Sequence, residues 1–319
     1  MKALNARIAM LMTLPPLMWA GNAIVGRMMV GQVPPLALSA LRWALVALML
    51  LPASLSLLRS AADRQAMRDA WPYLLAIGSL GIGLFNAMQY LALRTSTPLN
   101  VTLINASMPL WMLGVGALLF AQRPQSRQLA GAVLSLAGVA TVIARGRWAD
   151  LAQVQFVAGD LFMLIAVLGW AMYSWLLVRA PAWLRPPPRE TIARWGWAAF
   201  LWVQCLFGLI VGTVAAGAEL AWAHHPAIDW SSPAVWAALV FVAVCPSLIA
   251  YRCWGLGVAS AGPAVAAFFV NLSPLFTAVL SGWLLGEWPQ PYHGAAFALI
   301  VAGIALSTWQ PARRAGASA

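Results

Sequence analysis

Few residues in this chain could do chemistry. The one His/Asp cluster is His224, His225 and Asp229. Such residues can supply metal ligands or move protons. No nucleophile or second carboxylate stands at a telling spacing from them, so a short HHP stretch reads as solvated loop, and neither a metal nor a cofactor is expected. The eight acidic residues avoid the middle of every apolar run. Asp160 and Glu287 fall near run ends, and Asp63, Asp69, Asp150, Glu190, Glu219 and Asp229 fall between runs. Arg42 is the one basic residue well inside a run. A guanidinium in a low-dielectric layer is costly and is by default a functional candidate. It could hold a substrate carboxylate bidentately, or it could bond helix carbonyls and snorkel to a surface; both readings stay open.

The remaining candidates are amides, hydroxyls and rings. Trp19 and Asn22 are three apart, on one helix face, and so are Trp170, Tyr173 and the adjacent Ser174, 151 residues further on. Asn86, Gln89 and Tyr90 share a face, and Tyr251 follows the Cys245-Pro246 break. Asn105 and Asn271 stand in the same turns as Pro109 and Pro274. A helix proline frees the carbonyl four residues back. In hydrocarbon such a break must face protein or a water-filled cavity. An aromatic wall with a few polar anchors suits a small-molecule pocket. The alternative, an interfacial aromatic belt, fits less well, because both clusters lie deep in their runs. Pro109, Pro246 and Pro274 are the candidate kinks or gates.

The elements that must position these residues are membrane helices. The chain is 62% hydrophobic and only 8% charged, where a soluble domain carries about 25% charge. Its apolar runs match the roughly 20 residues that cross a bilayer core. Ten spans are expected, at about 8–28, 35–58, 72–93, 98–121, 128–144, 158–179, 195–217, 233–254, 263–286 and 291–309. The opening run reads as an uncleaved first span rather than a leader peptide. Cys205, Cys245 and Cys253 are odd in number, lie within spans, and read as packing residues. A net charge of +11 could suggest nucleic acid in a soluble protein. Here the basic residues sit at run ends: fourteen fall on the side of the N-terminus and four on the other. That bias places both termini in the cytoplasm, and no nucleic-acid partner is expected.

One segment occurs twice. Residues 98–142 align without gaps on 263–307, with eleven identities that include three prolines. Chance would give about four. Five spans precede the 145–157 linker and five follow, so the second copy enters from the opposite side. The expected organisation is therefore a first five-helix repeat over 1–144, an inverted second repeat over 158–309, and a cytoplasmic tail at 310–319. Inverted repeats enclosing a mid-membrane site are a property of secondary transporters. The absence of a mid-membrane carboxylate points to transport without ion coupling. Pro-kinked spans 4 and 9, with spans 1 and 6, are the expected moving parts.

The WAGN run at 19–22, ALRW at 40–43, YLAL at 90–93, NLSPLFTAVLSGWLLGE at 271–287 and AGIAL at 302–306 together resemble the drug/metabolite transporter superfamily, specifically its EamA-type ten-span exporters. NASMPL and Ala121-Gln122 depart from the pattern that the second half keeps. The resemblance implies an all-α integral membrane exporter of small metabolites. The eighteen tryptophans and the placement of Trp, Tyr and Asn resemble the aromatic and neutral amino-acid exporters of bacterial inner membranes. Drugs, nucleosides and sugars are the alternative substrates. The expected substrate-binding set is Trp19, Asn22, Arg42, Asn86, Tyr90, Asn105, Trp170, Tyr173, Ser174, Tyr251 and Asn271.

Overall fold

A computed structural model of the chain describes residues 6–93, 95–96, 98–153, 155–184, 186–222, 227–286 and 288–309. All regular structure among them is helical. Among the described residues nine helices are long and apolar enough to cross a membrane, and a bent pair makes the tenth span. Span 1 is Ala6–Met28 and span 2 Pro35–Arg59. Span 3 joins Trp71–Gly78, a π-helical turn at Ser79–Leu84, and Phe85–Leu93. Span 4 is Pro98–Ala106 followed by Met108–Phe120. Spans 5, 6 and 7 are Ser126–Ile143, Ala158–Val178 and Trp197–Trp222. Span 8 joins Pro233–Ala243, a second π-helical turn at Val244–Ile249, and Ala250–Ala261. Span 9 is Pro263–Val270 with Ser273–Leu285, and span 10 is Pro291–Thr308. Several open on proline, whose fixed φ suits a first turn and whose missing N–H costs nothing there.

The expected connections need correction. The 59–71 stretch holds a helix, Ala61–Asp69, with Ser60 accepting from the Asp63 N–H as its N-cap. Pro188–Arg194 is helical, and Trp148–Gln153 forms a 3-10 turn. Two spans run past their expected ends. Span 7 continues to Trp222, which puts Glu219 in its last turn rather than in a loop. Span 8 continues to Ala261, so Arg252, expected at the end of its span and counted with the fourteen, lies well within the helix, its guanidinium 5.1 Å from the Trp197 ring centre. His224, His225 and Glu287 lie outside the described residues.

Local chemistry repeats at the same 165-residue offset as the sequence identities. The two π turns coincide under it. So do the left-handed residues that end spans 4 and 9, Ala121 and Gly286. The reciprocal caps that open spans 5 and 10 coincide too: the Gln125 N–H donates to Gln128 Oε1, and the Gln290 N–H to His293 Nδ1, each at 2.9 Å.

The packing shows how the copies are related. Gly131 of span 5 lies against Gly303 of span 10, and Gly138 lies against Ala296. Seven residues forward on one helix is seven back on the other, so the two run antiparallel. Shifted by the repeat offset, each of these contacts becomes the other, the self-complementarity of a two-fold axis. Spans 4 and 9 cross on that axis: Asn271 Nδ2 donates to the Ala106 carbonyl at 3.1 Å, and these two positions are themselves 165 residues apart. Span 1 packs on spans 8 and 9 as span 6 packs on spans 3 and 4. The fold is two inverted five-helix repeats, each span seated on the other copy.

The outer surface is that of a lipid-facing protein. Leu118, Val214 and Trp283 are more than two-thirds exposed, with no polar compensation that water would require. Ten of the eighteen tryptophans are exposed, nearly all at span ends and loops, where such rings settle at a membrane interface. The tryptophan count is thus mainly a belt and carries little information about substrate.

Candidate substrate cavity

The two broken spans and the two π turns meet at the centre, and the chain's polar groups gather there. In span 4 the break falls at Ser107, so that Pro109 sits in the first turn of a new helix. The halves are bent by 47°. Ser107 Oγ donates to the Ile104 carbonyl at 2.6 Å and accepts from Trp111 Nε1 at 2.9 Å. The Leu110 N–H turns to the Ser107 carbonyl, and Asn271 takes up the Ala106 carbonyl across the axis. In span 9 the break falls at Asn271–Leu272, just before Pro274. The span 4 interruption is therefore relieved by neighbouring polar groups rather than by lipid.

A π turn widens the helix by one residue and recurs at functional sites. Equivalent carbonyls of the two π turns meet aromatic donors. Trp19 Nε1 donates to the Pro246 carbonyl at 3.2 Å, and the Tyr251 hydroxyl donates to the Gly81 carbonyl. Gly81 has no room for a side chain, since a Cβ there would lie 2.5 Å from the Tyr173 ring.

These rings form one cluster. Trp170 is its hub, with centroids of Trp19, Tyr173, Trp254, Tyr251 and Phe85 between 5.1 and 5.7 Å away. Trp43 meets Tyr251 edge-on at 4.8 Å. Ser174 Oγ accepts from Trp254 Nε1 at 3.2 Å and donates to the Trp170 carbonyl at 2.9 Å. Hydrogen bonds anchor the Trp19, Tyr251 and Trp254 rings, and close ring contacts around Trp170 hold the others against them, so the rings present a fixed surface.

Above that surface lies a cavity of about 1280 Å³. Trp19, Trp170, Tyr251, Pro246 and Met108 are among the residues that line it, with Asn22, Arg42, Asn86, Gln89 and Asn105 as polar groups. Arg42 is 7% exposed, and its Nη1 donates to Asn22 Oδ1 at 3.2 Å. Asn105 Oδ1 is buried without a hydrogen-bond partner. Arg27, Val30, Pro35, Leu36, Leu91, Glu219 and Trp222 also line it. These residues end spans 1, 3 and 7 or begin span 2, so the cavity opens on the face opposite the one where span 1 begins. Glu219 Oε2 accepts from the Leu36 and Ala37 N–H groups at 2.8 and 3.1 Å, capping the start of span 2, where backbone donors lack helical partners.

Among the described residues, none at the other face lines the cavity. Trp175 of span 6 stacks on Phe120 of span 4 at 5.3 Å, its Nε1 donates to the Met112 carbonyl, and Gly116 leaves the space its ring fills. Arg179 Nη1 donates to the Phe120 carbonyl at 2.9 Å.

Of the residues singled out in the sequence, Trp19, Asn22, Arg42, Asn86, Asn105, Trp170, Tyr251 and Pro246 line the cavity. Tyr173 and Ser174 are buried in the ring cluster, and Asn271 is buried on the axis. Pro109 and Pro274 adjoin Met108 and Ser273, which line it. The Tyr90 side chain lies outside the described residues. Sequence reasoning missed Phe85, Trp254, Arg27 and Glu219. Trp254 had a signal, three residues after Tyr251 on the same face.

An all-helical membrane protein of inverted five-span repeats, with a central cavity open to one face, is by its architecture a transporter. The chain belongs to the EamA-like transporter family, whose model matches residues 6–144 and 157–309. It is 28% identical to an uncharacterized transporter of Archaeoglobus fulgidus over 96% of this chain and 98% of that one. It is 24% identical to the aromatic amino acid exporter YddG of Ancylobacter novellus, over 87% of this chain and 89% of that one. A crystal structure of a protein 22% identical in sequence shares the fold at a TM-score of 0.70, covering 96% of this chain and 97% of the other.

Proposed function

We propose that this protein exports small metabolites, above all aromatic and other neutral amino acids, by exposing the cavity alternately to the two faces of a bacterial inner membrane. The two halves, 1–144 and 158–309, rock about their shared axis, with both termini in the cytoplasm. The observation that carries this reading is the fixed aromatic surface around Trp170, which floors a cavity open on one face and sealed on the other. The volume exceeds the roughly 300–1,000 Å³ of ordinary ligand pockets, room for an amino acid and its water. The likeness to an aromatic amino acid exporter supports the same substrate class. The acidic residue among the described cavity lining, Glu219, is tied to the start of span 2, which supports movement down a gradient without ion coupling.

The test is counterflow of labelled phenylalanine, leucine and tryptophan in liposomes holding the purified full chain. Uptake is expected for several of them, falling about tenfold or more in Trp19→Ala and Trp170→Ala. An imposed pH gradient should drive no net accumulation. Absence of amino-acid counterflow would overturn the substrate, and uphill movement under the pH gradient would overturn the uncoupled mode.

A further inference from the structure

We propose that the cavity selects its substrates by their carboxylate, read by Arg42, and makes no use of an ammonium group. This deepens the amino-acid reading and rests on it for the aromatic body of the substrate. Arg42 stands in the second turn of span 2, on the cavity wall and 7% exposed. Asn22 Oδ1 holds its Nη1 at 3.2 Å, and its guanidinium carbon lies 5.2 Å from the Trp43 ring centre. Trp43 in turn meets Tyr251 of the aromatic floor. A planar cationic fork is thus fixed beside the surface that would take an aromatic ring. Such a fork matches a carboxylate in shape as well as charge, and its attraction is strengthened by the low-dielectric surroundings.

Among its described lining the cavity offers an ammonium no free carboxylate. Glu219, the acidic residue among its described lining, already accepts two backbone N–H groups at the start of span 2. The positive end of that helix dipole further neutralises it. Deeper in, an ammonium would meet neutral amides, Asn86, Gln89 and Asn105, whose Oδ1 is a free but uncharged acceptor, and the repulsion of Arg42. The charge pattern therefore favours an aromatic monocarboxylate over a zwitterion, and a zwitterion over an amine. Amino acids become one subset of the substrates rather than their definition.

Four relatives of one molecule separate these features: phenylalanine, 3-phenylpropionate (no ammonium), 2-phenylethylamine and phenylalaninamide (no carboxylate). Each competes for counterflow of labelled phenylalanine and of labelled 3-phenylpropionate in liposomes. Phenylpropionate should compete at least as well as phenylalanine. The two compounds without a carboxylate should be about tenfold weaker or worse, the scale of one charge-assisted hydrogen bond. Arg42→Gln should flatten that ranking, Arg42→Lys should keep part of it, and Asn22→Asp should flatten it by placing an internal carboxylate on the guanidinium. Rescue by Arg42→Lys keeps the test valid if the glutamine variant fails to fold. Equal competition by phenylethylamine, meaning that the rings read a cation, would overturn the proposal, as would a wild-type ranking in Asn22→Asp. Counterflow of phenylpropionate without that of phenylalanine would support it while overturning the amino-acid reading. Counterflow of neither would overturn both.

Discussion

Ala121 carries a left-handed backbone, φ 52°, where span 4 ends, and its counterpart at the end of span 9 is Gly286, φ 73°. A Cβ in that conformation costs about 1–2 kcal/mol, which glycine avoids. Ala121→Gly should therefore stabilise the protein by about 1 kcal/mol, measured as a rise in thermal unfolding temperature in detergent; no rise would mean the strain is relieved elsewhere. The departure from the Gly-Glu pattern was legible in the sequence, but its conformational consequence was not. Arg42 shows a similar limit. Its charge inside an apolar run marked it as a candidate, yet the choice between snorkelling and lining a site needed Asn22 and the cavity beside it. Glu219 was misplaced because Ala and Gly between 215 and 218 weaken the hydropathy signal before the helix ends. The eighteen tryptophans misled as a number, since rings in a belt and rings in a cluster are alike in composition.

At the scale of elements, the repeat was readable because helix punctuation is local chemistry. Prolines, caps and breaks recur where the sequence matches. The π turns were not readable: one contains Pro246, but the other holds only Gly81 at the matching position. The antiparallel contact of spans 5 and 10 makes the sharpest element-level prediction. A Cβ on Gly131 would lie 2.6 Å from the Gly303 carbonyl oxygen, and one on Gly303 equally close to that of Gly131. Backbones this near depend on small residues, as in membrane helix pairs generally. Gly131→Leu and Gly303→Leu should each destabilise by about 3 kcal/mol or more, at or above the upper range of overpacking. The check is loss of a monodisperse peak on size exclusion, while Gly212→Leu, where a Cβ meets nothing, keeps one. Equal behaviour of the three variants would mean the axis contact is not what joins the halves.

The whole molecule is two-fold symmetric in its contacts but not in its shape. Both spans are interrupted, but span 4 is bent by 47° at its break, whereas span 9 is bent less at its own and passes as one span over Pro263–Leu284. Trp175 and Phe120 seal one face, and the cavity reaches the other. If the halves are alike in sequence and contacts, the mirror arrangement, with the more and the less bent copies exchanged, is close in energy, and a substrate can shift between the two. That exchange is the central claim. The most direct measurement places spin-label pairs at Val30 and Trp222, on the open side, and at Leu119 and Val178, on the sealed side, in a chain freed of Cys205, Cys245 and Cys253. With substrate added, the account predicts a second population in which the first distance shortens as the second lengthens. Two distances that stay single-valued in every condition, or that lengthen together, would contradict it.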